Sequence, residues 1–146
     1  MSLPGVGAKL NSPDHRLKHR VHDVDETAPD ETIKVTGGTV TTTDATPTVA
    51  KSIALDDNTA YLVKSFVVGR GTAGAERAAA IIYGFAYRQS AGSAVLADAG
   101  TPFLSETDAG MDIVFSVSGN NLQVEVTGKA ATTINWRASL QFTKVI

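Results

Sequence analysis

Residues 132–145, TTINWRASLQFTKV, read as one half-buried β-strand. Ile134, Trp136, Ala138, Leu140 and Phe142 fall on one side; Asn135, Arg137, Ser139, Gln141 and Thr143 fall on the other. Successive side chains of a strand point to opposite faces, so this alternation places one face in a core and the other in solvent. The chain's single tryptophan belongs to the apolar set. Trp136, Phe115 and Phe142 are therefore the expected core anchors.

The preceding segment repeats the pattern. Ile113, Phe115 and Val117 alternate, SGNN intervenes, and Leu122, Val124 and Val126 alternate again. With Gly119-Asn120 as a two-residue primed turn, Val117 faces Leu122, Phe115 faces Val124 and Ile113 faces Val126. Further upstream, TVAKSIAL (48–55) and YLVKSFVVG (61–69) flank Asp56, Asp57 and Asn58, residues that favour turns by bonding their own backbone. They read as a hairpin or a connection that switches sheets. In ERAAAIIYGFAYRQ (76–89), Ile81, Tyr83, Phe85 and Tyr87 alternate against Ala80, Ile82, Gly84 and Ala86. This too is a strand, and its small-residue face, Ala80, Gly84 and Ala86, is expected to allow either close sheet packing or a subunit contact. GRGTAGAE (69–76) and RQSAGSAVLADAG (88–100) read as loops. The expectation for residues 36–146 is an all-β body of seven or eight strands, a single jelly-roll-like antiparallel β-sandwich, behind an extended arm over residues 1–35.

Composition limits the function. A hydrophobic content of 42% in 146 residues suffices for one core, and no run approaches the ~18 consecutive apolar residues of a membrane span. No membrane insertion is expected. The N-terminus lacks the apolar region of a secretory leader. Without cysteine there is no disulfide and no thiolate chemistry. A formal net charge of −2 gives no global attraction to nucleic acid, which is not an expected partner.

The arm differs in texture. It carries all three histidines and three of the five prolines, with few large apolar residues. His15, His19 and His22 sit at helical spacing that could present three imidazoles to a metal, yet Leu17, Val21 and Val24 share that spacing and make an equally good docking stripe. The stretch from His15 through Arg16, Leu17, Lys18, His19, Arg20 and Val21 to His22 reads best as an attachment arm with no metal.

The β body offers little site chemistry. Asp44, Asp56, Asp57, Glu76, Asp98, Glu106, Asp108 and Asp112 read as turn acids, with no histidine or cysteine among them. GRGTAG (69–74) lacks the Lys-Ser/Thr of a phosphate-binding loop. No catalytic residues, cofactor or metal are expected, and the chain reads as no enzyme.

The segments TTTDATPT (41–48), DDNTAYLVKSFVVGR (56–70), ERAAAIIYGFAYRQSAGSAVL (76–96), SGNNLQVEVTG (118–128) and TTINWRASL (132–140) resemble a small β-sandwich module of tailed-bacteriophage virion proteins. That module occurs at the ends of tail fibres and tail-tip proteins, or as a stand-alone virion protein. The likeness covers roughly residues 38–146, and DATPT and VTG…TINW are its most specific pieces. The resemblance implies a place in the virion after assembly in the host cytoplasm, other capsid or tail subunits as partners, and a homo-oligomer, a trimer first. The leading expectation is a non-enzymatic accessory or decoration subunit attached to capsid or tail through its arm. The alternative is a tail-fibre or tail-tip module that reads a host receptor or glycan with loops 69–76, 88–100 and 104–111. Sugars stack on exposed aromatic rings, and near these loops only Phe103 qualifies, which favours the first expectation.

Overall fold

The computed structural model describes residues 33–146. The attachment residues His15 to His22 lie outside the described residues. Eight strands follow one another: β1 (Lys34–Thr42), β2 (Thr48–Ala54), β3 (Thr59–Gly71), β4 (Arg77–Arg88), β5 (Ala94–Glu106), β6 (Asp112–Ser118), β7 (Asn121–Thr127) and β8 (Ile134–Val145). Five make one sheet in the order β1-β8-β3-β4-β5, three make another in the order β2-β7-β6, and all paired strands are antiparallel. The described residues form an all-β sandwich.

The core lies between the sheets. Tyr61, Val63, Val67, Ile82, Ile134, Trp136 and Leu140 from the larger sheet meet Ile113, Phe115, Leu122, Val124 and Val126 from the smaller. Each fully buried side chain of this kind contributes about 1.5–3 kcal/mol relative to exposure. Trp136 is 2% exposed, and its indole N–H donates to Thr42 Oγ1 at 2.9 Å, so the burial leaves no donor unpaired. The ring lies against Gly69, where an added Cβ would come within 2.4 Å of it. Phe142 is half-buried and packs on Tyr61 with ring centroids 5.5 Å apart. Buried Ser65 spans β3 and β8 by donating to the Ser139 carbonyl at 2.7 Å.

The β6–β7 hairpin has the register read from its alternation: Val117 opposite Leu122, Phe115 opposite Val124 and Ile113 opposite Val126. Gly119 at its turn has φ +58°, a left-handed conformation that glycine adopts without strain. Residues 55–58 switch sheets, since β2 and β3 lie in different ones.

Two readings are corrected and one is decided between its alternatives. Residues 94–100, read as loop, are the first half of β5, an edge strand that buries little besides Ala94. The strand order departs from a jelly roll because β3, β4 and β5 stay together as consecutive hairpins, which divides the strands unequally. Of the two alternatives for the small-residue face of β4, the structure has the close sheet packing and not the subunit contact: Ala80 and Ala86 are 3% and 0% exposed, and a Cβ on Gly84 would lie 3.0 Å from the Phe115 ring. Bulk from β6 fills the space those residues leave. The aromatic side of β4 faces outward instead.

Candidate binding face of the five-stranded sheet

With the inner face of the larger sheet filled, its registers fix what the outer face presents. Four rows run across the strands, from Leu62, Phe85 and Asp98, through Gln141, Lys64 and Tyr83, then Ser139, Phe66, Ile81 and Phe103, to Thr39, Arg137 and Val68. A fifth row carries Thr41, Asn135, Arg70 and Arg77. Leu62, Phe66, Val68, Tyr83, Phe85 and Phe103 are each 41–60% exposed. Lys64 holds the middle, its Nζ 4.8 Å from the Phe66 ring centroid and 5.9 Å from that of Tyr83. A cation over ring faces is attracted by their quadrupoles.

The face changes character along the strands. Near Ile33 and the end of β8 it is apolar, with a depression of about 340 Å³ among Leu62, Tyr83 and Phe142. Midway, Phe66, Val68 and Phe103 border a depression of about 310 Å³. At the opposite end a depression of about 550 Å³ is bounded by Thr39, Thr41, Arg70, Asn135, Trp136 and Arg137.

Ion pairs tie the loops at both ends of the sandwich. At the end away from Ile33, Lys129 reaches Glu76 at 2.8 Å and Asp108 at 3.5 Å, joining the β3–β4, β5–β6 and β7–β8 loops. The Thr107 hydroxyl donates to Glu76 at 2.7 Å and accepts from the Arg77 N–H at 3.0 Å. The Lys129 hydrogen bond holds the Glu76 carboxyl below its ordinary pKa, and the Gly110 N–H does the same for Asp108. Its bond to Glu76 pushes Lys129 up. At the other end Lys144 pairs with Asp56 and lowers its carboxyl. There Arg88 donates to the carbonyls of Leu55 and Gly92 and lies 3.6 Å from Asp57. Burial pushes the Tyr61 phenol up, and its oxygen accepts from the Asp56 N–H at 2.8 Å. Asp44 and Asp108 accept backbone N–H bonds within their own loops, the work expected of turn acids, whereas Asp57 accepts from the Ala91 N–H of the β4–β5 loop.

Of the three loops read as glycan contacts, 69–76 and 104–111 come together beside Lys129, while 88–93 lies at the other end. Sequence reasoning missed the sheet face itself. Its signal was the alternation of β4, in which Ile81, Tyr83, Phe85 and Tyr87 oppose a smaller set, Ala80, Ile82, Gly84 and Ala86.

No protein-family model and no curated protein matches the chain. Among solved structures it is similar to the tailspike protein of Acinetobacter baumannii phage AM24, at 7% identity and a TM-score of 0.46, covering 77% of this chain and 26% of that one. It is also similar to tailspike protein gp49 of Acinetobacter baumannii bacteriophage Fri1, a capsular polysaccharide depolymerase, at 13% identity and a TM-score of 0.37, covering 81% of this chain and 20% of that one. The chain thus spans about a quarter or less of each tailspike. The reading of the chain as no enzyme is corrected at this point, because one of these tailspikes is described as an enzyme. At these scores the likeness assigns no activity and no ligand to this chain.

Proposed function

We propose that the protein is a tail-associated virion module that docks through one half of its outer sheet face and reads a host surface glycan with the other. The observation that carries this reading is the change along that face from apolar to polar and cationic. The resemblance of residues 38–146 to a virion module supports the particle location. The rings remove the objection to a glycan reader: Phe66, Tyr83, Phe85 and Phe103 are exposed side by side, on strands rather than loops. This favours a tail-fibre or tail-tip role over capsid decoration.

The six large apolar residues of the face together expose on the order of 600 Å², the upper end of the largest apolar patch usual on a monomer, a size of patch that often serves a function. Copies of this chain, the expected trimer among them, meet through the half that holds Leu62, Tyr83 and Phe85. Separate variants test the two halves. Leu62→Asn with Phe85→Asn abolishes self-association and incorporation into tails while the melting temperature of the body is retained. Phe66→Ala with Phe103→Ala leaves assembly intact and abolishes adsorption to the bacterial surface. Normal assembly of the first pair together with normal adsorption of the second overturns the reading.

A further inference from the structure

We propose that the depression at the end of the sheet face away from Ile33 binds an acidic saccharide, its carboxylate held by Arg70 and Arg137. The inference rests on the glycan reading above and names the class of glycan.

Three observations carry it. First, the cations are juxtaposed without an internal counter-charge. Arg70 lies directly opposite Arg77 on β4 and opposite Asn135 on β8, one row from Arg137. All three are exposed, and among the described residues none forms a salt bridge, whereas Arg88, Lys129 and Lys144 each have a carboxylate. Like charges directly opposed across strands destabilise a sheet. A chain with formal net charge −2 keeps this arrangement all the same. An external anion resolves it, and the planar guanidinium fork matches a carboxylate.

Second, the surroundings suit a polyol. Thr39, Thr41 and Asn135 border the same depression. The Thr41 hydroxyl donates to Asn135 Oδ1 at 2.8 Å, which leaves the Asn135 amide as a donor for a ligand oxygen.

Third, the depression continues into the next one. Val68 and Arg137 border both, and the second is flanked by Phe66 and Phe103. A carboxylate on the arginines thereby places the following sugar ring over aromatic faces. An isolated ion would use only the first depression. A nucleic acid would need more cations, since its affinity comes from neutralising many phosphates.

The test uses the full chain on an array of uronate- and sialate-bearing oligosaccharides and their carboxyl-reduced counterparts, with single-stranded DNA as a separate arm. Acidic members are expected to bind, with their reduced counterparts on the order of tenfold weaker, and Arg70→Gln with Arg137→Gln to lose a similar factor. Without ligand the double variant melts no lower than the wild type, because the opposed charges are relieved. Failure of every acidic member to bind overturns the inference, as does equal binding of acidic and reduced forms or tighter binding of DNA. Binding of neutral glycans that survives Arg70→Gln with Arg137→Gln but fails in Phe66→Ala with Phe103→Ala sinks the inference and leaves the glycan reading standing.

Discussion

Trp136 concentrates several constraints in one side chain. It fills the space over Gly69 and satisfies its N–H on Thr42. Trp136→Ala costs about 3–5 kcal/mol, the lost transfer energy plus the cavity left behind. Gly69→Ala drives a methyl into the ring and costs about 1–3 kcal/mol. Urea denaturation of both variants checks this; a wild-type-like midpoint for Gly69→Ala would mean that the ring does not lie there. Alternation in the sequence sufficed to find Trp136, but not Thr42 or Gly69, whose roles depend on strands far apart in the chain. Charge at this scale shows in the pH dependence. Glu76 is depressed below its ordinary 4.5 by Lys129, so its stabilisation is complete above that value and is lost as pH falls through the lower folded one. Lys129 is raised above 10.5, so its share is present below that value and is lost as pH rises through the folded one. Lys129→Met should therefore shrink the loss of stability on acidification, by a small amount because the groups are exposed. Equal acid limbs in urea midpoints of the two proteins would contradict the pairing.

Elements differed in how openly the sequence announced them. The β6–β7 hairpin was readable down to its register because turn chemistry and alternation agree. In β5 neither signal exists: an edge strand with almost every side chain in solvent needs no apolar period, and AVLADAG resembles a loop. For β4 the strand was legible and its orientation was not. Which face is inner depends on what the other sheet supplies, and Phe115 over Gly84 settles it. The turns give a prediction of opposite signs. Gly119 has φ +58°, so Gly119→Val costs about 1–2 kcal/mol from backbone strain, with no neighbour within 4 Å of the added Cβ. Ala91 and Ala131, at φ +58° and +56°, already bear that strain. Ala91→Gly and Ala131→Gly should each raise stability by up to about 1 kcal/mol, read from thermal unfolding. A loss in both would show that these loops are not left-handed at those positions.

On the scale of the whole molecule, the sandwich class followed from composition and period two, whereas the working surface did not. An exposed sheet face with Leu62, Val68, Tyr83 and Phe85 is indistinguishable by alternation from a second core layer, since period two reports two faces and not which one is covered. The location of the site on strands rather than loops follows from that. The central claim, that this face is where the molecule works, is tested most directly by hydroxyl-radical footprinting. The isolated wild-type chain, diluted until it is monomeric, gives the unprotected reference, to be compared with the same chain assembled in tails and bound to the host surface. The expected result is protection of Leu62, Tyr83 and Phe85 on assembly, and of Phe66 and Phe103 on adsorption. Unchanged labelling of all five, with protection appearing instead at Val49, Val114 and Val117 of the smaller sheet, would contradict it.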